Sequence, residues 1–238
     1  SARRACPLLM SELLLPASFL FRFRVPCVYL PEASGTKRSA LSETYRLPNF
    51  TPLDGGPEGP EVRIGWNESG LTIAAEVTGK RQPVWCRAHR LDDSDALHVW
   101  IDTRDTHNIH RAGRFCHGFV FMPAGGGARA DEPVAEQAWI NRARENARPV
   151  RPGMLRAICE KRRDGYRLEA RISGEALTGF DPAEHPRLGF TYCVADREIG
   201  LRTFNCGPEF PFREDPSLWA TLELIKPPAS GKTAKKSR

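Results

Sequence analysis

The sequence lacks any apolar run of the about 18–20 residues that a membrane-spanning helix needs. The longest candidate, Cys6 to Phe21, is interrupted by Pro7, Glu12 and Pro16. There is no C-x-x-C pair: the seven cysteines stand far apart at 6, 27, 86, 116, 159, 193 and 206. That spacing excludes a zinc ribbon or a thioredoxin-type motif. An odd number of cysteines in a chain of this length also argues against a disulfide framework, leaving buried free thiols in a reducing compartment. No G-x-S-x-G elbow, H-E-x-x-H pair or glycine-rich dinucleotide fingerprint is present. Ser230-Gly231-Lys232-Thr233 has the ending of a phosphate-binding loop. The motif needs Gly at position 226, which is Lys, and the stretch lies in a Pro/Lys-rich tail. No acid or histidine spacing marks a catalytic pair, so a non-catalytic role is expected over an enzymatic one.

What is present supports a folded domain. The 238 residues are 40 % hydrophobic and 27 % charged, enough for a core and too apolar for a disordered chain. The net charge of +6 resides in the ends: Arg3 and Arg4, then Lys226, Lys232, Lys235, Lys236 and Arg238, leaving 28 basic against 29 acidic residues between them. A near-neutral body excludes a general nucleic-acid footprint. Neither a membrane nor a specific nucleic acid is expected as a partner, and no protein partner is indicated. The expected organisation is a flexible extension over 1–11, one domain over 12–225 and a basic, disordered tail over 226–238. Arg3 and Arg4 before apolar residues faintly resemble a signal peptide, but Glu12 and two prolines break its apolar segment. Cytoplasmic localisation is expected, with secretion the alternative, and Met10 is expected nearer the natural start than Ser1.

Strand patterns dominate. Phe19–Val25 alternates Phe21, Phe23 and Val25 with Arg22 and Arg24. Residues 31–60 read as a long connection. Val62–Trp66 and Leu71–Val77 flank the hairpin turn Asn67-Glu68-Ser69-Gly70. Ala96–Ile101 places Leu97, Val99 and Ile101 on one face and His98, Trp100 and Asp102 on the other. Phe115–Met122 follows, then a glycine-rich, mobile loop over Pro123–Pro133 and a short strand over Gln137–Ile140. Met154–Glu160 and Tyr166–Ile172 form a hairpin, Ser173–Leu177 a helical turn, and Leu188–Val194 and Trp219–Ile225 the last strands. About ten short strands with little helix predict an all-β, antiparallel, jelly-roll-like β-sandwich.

Asp95-Ala-Leu-His-Val-Trp-Ile-Asp102 resembles the D-x-V-E-(apolar)-F-I-D strand of family-nine carbohydrate-binding modules and their DOMON-like relatives. Glu68–Val77 is similar to their preceding hairpin strand. Gly165–Ile172 is similar to their G-Y-x-x-E-x-x-I-P strand, with Ser173 in place of Pro. Phe180-Asp-Pro, Arg187–Phe190 and Asp196-Arg197 follow in the same order. The resemblance spans about residues 60–225, the length of one such domain. It implies a jelly-roll-like sandwich and a carbohydrate or other small polar ligand. The segment from Asp102 to His117 departs from that family and resembles uncharacterised bacterial proteins with a family-nine-like domain.

The candidate ligand contacts are Trp85, His98, Trp100, Arg111, Arg114 and His117. Trp85 sits in a loop, where an aromatic ring can stack on a sugar face or pack under the loop. Trp100 shares a face with His98, either a concave ligand surface or a second core layer, whereas Trp66 and Trp219 read as core. Trp139 opens a stretch that the pattern leaves undecided. Arg111 and Arg114 offer planar donor forks to hydroxyls or an acidic sugar, with salt bridges the ordinary alternative. His117 reads equally as a hydrogen-bonded core histidine. Haem ligation by His117 and Met122 is disfavoured because the two point to opposite faces of one strand. Asp102, Asp105, His107 and His110 offer oxygen and imidazole ligands that would suit zinc, with a solvated loop as the plainer reading. His107 and His110 converge only if their loop makes a helical turn. Asp92-Asp93-Ser94-Asp95 would suit calcium, which family-nine relatives can carry, or would simply face solvent. Arg142, Arg144, Arg148, Arg151 and Arg156 form a basic stretch that reads as solvated surface or as a contact for an anionic partner.

Overall fold

The computed structural model describes residues 21–31, 41–50, 59–87 and 89–226. The expected extension over 1–11, the tail beyond Lys226, the start of the Phe19–Val25 strand and parts of the 31–60 connection lie outside the described residues. Eleven strands form among them: β1 Arg24–Tyr29, β2 Glu61–Asn67, β3 Gly70–Val77, β4 Ala96–Asp102, β5 Cys116–Gly126, β6 Glu132–Ala138, β7 Leu155–Arg162, β8 Gly165–Ser173, β9 Arg187–Asp196, β10 Gly200–Thr203 and β11 Ala220–Ile225. They join in the order β6-β5-β4-β9-β11-β1-β2-β3-β8-β7, with β10 on β9. The two ends, β6 and β7, approach each other, so the sheet curls nearly closed into a jelly-roll-like sandwich. Helical structure among the described residues is limited to single 3-10 turns, and no helix is long and apolar enough to cross a membrane.

The strongest alternations form as the sequence predicts. The β2–β3 turn is closed by Asn67, whose Oδ1 accepts from the Ser69 amide at 3.0 Å and the Ser69 hydroxyl at 2.6 Å. Gly70, at φ +139°, lies so close to β8 that a Cβ would overlap the Ile172 carbonyl oxygen. Ser173 caps the turn Gly174–Ala176, its hydroxyl accepting from the Glu175 amide.

Four expectations need correction. The first strand runs over Arg24–Tyr29 rather than Phe19–Val25, and Phe23 instead stacks on Phe50 with ring centroids 3.8 Å apart. This strand is parallel to both β11 and β2, the exception in an otherwise antiparallel sheet. Alternation fixes which face a residue takes but not the direction of its strand. The expected loop over Pro123–Pro133 is largely strand: β5 continues to Gly126, passes an irregularity after Met122, and turns directly into β6. The expected short strand at Gln137–Ile140 ends at Ala138, leaving Trp139 beyond it.

The interior of the sandwich is aromatic and aliphatic. Leu97, Val99 and Ile101 of β4 meet Phe119, Phe121, Phe190, Tyr192 and Phe204 from the neighbouring segments, and Ile64, Ile73, Leu168 and Ile172 from the opposite layer. Each buried phenylalanine contributes about 2–3 kcal/mol of transfer free energy. A second apolar layer lies on the outer face of β4, β5 and β9. There Trp100, Cys116 and Cys193 are covered by Ala112, Ile140, Cys206, Phe212 and Trp219 from three long loops. Trp100 meets Phe212 edge-on at 5.6 Å, and the Trp219 indole N–H donates to the Phe212 carbonyl at 2.7 Å.

Candidate functional site

β4 has chemistry at both of its ends. Before it stands Asp95; after it come Asp102, Asp105, His107 and His110. The neighbouring strand β9 repeats the arrangement, because Ala195 pairs with Ala96 and Gly189 with Asp102, which sets Asp196 beside Asp95.

At the Asp95 end, Lys80 reaches both buried carboxylates. Its Nζ lies 3.2 Å from Asp95 Oδ2 and 2.5 Å from Asp196 Oδ2. Burial acts to lower the Lys80 pKa, but the hydrogen bonds and charges of the two carboxylates outweigh it and hold the group above its ordinary value. The remaining lone pairs are met by backbone amides: Trp85 and Arg197 donate to Asp95, and Glu198 and Ile199 to Asp196. An ammonium therefore occupies the place between these carboxylates that a calcium reading would assign to a metal. Asp92 and Asp93 do not join them; they face Arg213 and Arg90 at 3.9 and 3.4 Å. These residues do not fit a calcium ion. A hollow of about 300 Å³ beside them is lined by Trp85, Asp92, Asp93 and Arg197. The half-buried Trp85 ring is already engaged there: the guanidiniums of Arg87 and Arg197 each lie 4.5 Å from its centroid.

At the other end the loop after β4 turns sharply, because both Asp102 oxygens accept backbone amides, from Arg104 at 2.9 Å and from Thr106 at 2.7 Å. This turn separates the four proposed metal ligands. Asp105 and His107 do meet, with His107 Nε2 3.0 Å from Asp105 Oδ1 and 2.9 Å from the Thr221 hydroxyl. Thr221 also donates to Asp105 at 2.9 Å. Asp102 is committed to the backbone, and His110 turns to Asp215 instead. Among the described residues no group of three or more His, Cys, Asp or Glu converges as a metal site would. Burial raises the Asp105 pKa, against the opposing hydrogen bond of Thr221 and the charge of His107.

His107 and His110 line a cleft of about 550 Å³, in the range of small-ligand sites. Phe21, Phe23 and Phe210 supply apolar surface; His107, His110, Asn205, Asp215 and Ser217 supply polar groups. His110 Nδ1 lies 3.1 Å from both Asp215 Oδ2 and the Ser217 hydroxyl. Ser217 donates to Asp215 Oδ1 at 2.6 Å, and its amide is capped by the same oxygen at 2.9 Å. The trio is not a nucleophile relay. Such a relay needs serine and carboxylate on opposite ring nitrogens, whereas here both address Nδ1 and the serine proton goes to the carboxylate. The arrangement instead holds a hydroxyl, an imidazole and a carboxylate in fixed positions. With Nε2 of His107 directed at Asp105 and Thr221, its Nδ1 has no hydrogen-bond partner.

The six expected ligand contacts do not converge. His98 and Trp100 are 3 % and 6 % exposed, closed beneath the loops rather than forming a concave ligand face. His117 is wholly buried on the opposite face, its ring parallel to Phe119. Its surroundings are those of a core histidine, with the Thr178 backbone as a polar neighbour of the ring. Burial pulls its pKa down to about 4, with the Thr178 backbone opposing weakly. His98 falls to about 4 as well, through burial and then the charge of Arg213. Arg111 donates to the Arg142 carbonyl at 2.9 Å, and Arg114 lies over the Phe115 ring at 5.0 Å. Phe21, Phe210, Asp215 and Ser217 also line the cleft; in the sequence, the Asp215-Pro-Ser217 capping pattern marks the last two, and nothing marks the phenylalanines.

Fold and cleft together make a nearly closed β-sandwich with a polar, aromatic-rimmed cleft at one end. Solved structures with a similar fold include carbohydrate-binding modules of family 9. One, from Caldicellulosiruptor kristjanssonii in complex with cellotriose, is 14 % identical over 91 % of this chain and 100 % of its own, with a TM-score of 0.56. A glucose complex of a family 9 module from the same organism is 15 % identical over 87 % and 97 %, at 0.57. A Bacteroides uniformis protein taken to bind carbohydrate is 10 % identical over 86 % and 100 %, at 0.53. The chain has a family-nine-like fold. No family model matches its sequence, and no curated protein does.

Proposed function

We propose that this chain is a non-catalytic carbohydrate-binding module that takes a sugar in the cleft lined by Phe21, His110, Phe210, Asp215 and Ser217. The observation that carries the reading is the pre-assembled His110–Asp215–Ser217 group facing phenylalanine rings within one cleft of about 550 Å³. A sugar ring needs that pairing: an apolar surface for its C–H face and fixed donors and acceptors for its hydroxyls. Fixing the polar groups in advance lowers the ordering cost of binding. The family-nine-like fold supports the same ligand class. Trp85 is the weaker alternative, since two guanidiniums already engage its ring.

The test is calorimetry with glucose and cellotriose, extended by a glycan array. Binding in the millimolar range or tighter is expected, weakened at least tenfold by His110→Ala and by Phe21→Ala. Both side chains are exposed, so neither variant disturbs folding. A screen without any sugar bound, or affinity unchanged in both variants, would contradict the reading.

A further inference from the structure

We infer that a second surface, the loop face carrying Trp139, binds an anionic polysaccharide. The inference rests on the carbohydrate-binding reading of the fold but uses none of the cleft residues.

Of the five tryptophans, Trp66, Trp100 and Trp219 are buried and Trp85 is half-buried, whereas Trp139 is 56 % exposed. It follows β6 and opens a segment that is tied down on both sides. Gln137 holds its far end, donating to the Arg148 carbonyl and accepting from the Val150 amide, both at 2.9 Å. Its near end joins the loop around Ala112: the Arg144 amide donates to the Ala112 carbonyl at 2.7 Å, and Arg111 Nε to the Arg142 carbonyl at 2.9 Å. The two loops therefore make one continuous face.

That face is basic, with the Glu214 carboxylate at its edge accepting from the Asn141 side-chain amide at 2.7 Å. Arg111, Arg142, Arg144 and Arg148 are exposed, and none has an ion pair among the described residues. Arginines elsewhere are matched, Arg63 to Glu43 and Glu61, and Arg162 to Glu76. Between Gln137 and Arg156 the sole acidic residue is Glu145. Within a near-neutral body, this is a local excess of guanidinium groups beside one exposed indole. Guanidiniums grip carboxylates through paired N–H donors, and an indole stacks on a pyranose face. A polyuronate offers both groups in every repeat. A single-stranded nucleic acid also offers rings and anions, but its sites present successive aromatic platforms, and here there is one.

Affinity electrophoresis tests this, in gels containing polygalacturonate, neutral dextran or neither, with a single-stranded oligodeoxynucleotide as competitor. Polygalacturonate is expected to retard the protein and dextran is not. Trp139→Ala, and separately the pair Arg142→Ser and Arg148→Ser, should weaken retardation at least tenfold, and added salt should weaken it further. Thermal melts should match the parent, because these side chains are exposed. His110→Ala should retain full retardation, and Trp139→Ala should retain whatever affinity the cleft has for cellotriose, so failure of one site is distinguishable from failure of the other. The inference is overturned if polygalacturonate does not retard the protein, if Trp139→Ala is retarded like the parent, or if the oligonucleotide competes as strongly as free polygalacturonate.

Discussion

The two ends of β4 hold similar residues and do opposite things. At the Asp95 end, two carboxylates, one ammonium and four backbone amides are buried and mutually satisfied. At the other end, Asp105 and Asp215 share their bonds with two histidines and two hydroxyls, and His107, His110 and Asp215 border an open cleft. The difference lies in the counter-charge. Lys80 neutralises its partners in a buried position, so the cluster acts as a clamp between the β3–β4 connection, β4 and β9. At the other end His110 meets Asp215 at the surface, beside the cleft, while His107 and Asp105 pair in a largely buried position. Burial converts charged groups into structure, and partial exposure leaves them free for recognition.

Three substitutions would break or sharpen that comparison. The largest effect is expected at the clamp. Lys80→Met leaves two buried carboxylates uncompensated and should destabilise the domain by about 3–5 kcal/mol in chemical denaturation.

His117→Leu should act in the opposite sense. It replaces a buried imidazole that makes at best a poor contact with the Thr178 backbone, and is expected to stabilise by about 1–3 kcal/mol. It should also flatten the pH profile. The folded-state pKa values of His98 and His117 stand at about 4, below the ordinary histidine value near 6.5. Between those values the unfolded chain binds more protons, so stability falls as pH drops from about 6.5 towards 4. Asp105, its pKa raised by burial, contributes with the opposite sign, and comparing parent with variant melts isolates the His117 share.

The smallest effect is expected at Thr221, which bonds Asp105 and His107. Thr221→Val removes one donor near the cleft and should cost about 1 kcal/mol, read as a lowered melting temperature.

The sequence makes much of the fold legible, for physical reasons that also mark its limits. Period-two alternation located β2, β3, β4 and β8 because each has one face in the core. It failed for the direction of β1, which alternation does not encode, and for β10, whose four residues are too few to show a period. The second apolar layer was only half visible: Trp100 hinted at it, but its cover arrives from Phe212 and Trp219, more than a hundred residues on. The site failed in the same way. His107 and His110 stand out in the sequence, where spacing groups them with their neighbour Asp102. The partner of His110 is Asp215, 105 residues away, and His107 finds Thr221 at a separation of 114. Local spacing does not report a contact made by chain closure through β11.

The most direct test of the account is chemical-shift mapping of the isotope-labelled protein titrated with cellotriose. The account predicts perturbations confined to the cleft, at Phe21–Phe23, His107–His110 and Phe210–Ala220, with the amides of Trp85, Arg197, Glu198 and Ile199 around the Lys80 clamp unmoved. Perturbations centred on Trp85 and the clamp, or none at saturating sugar, would contradict it.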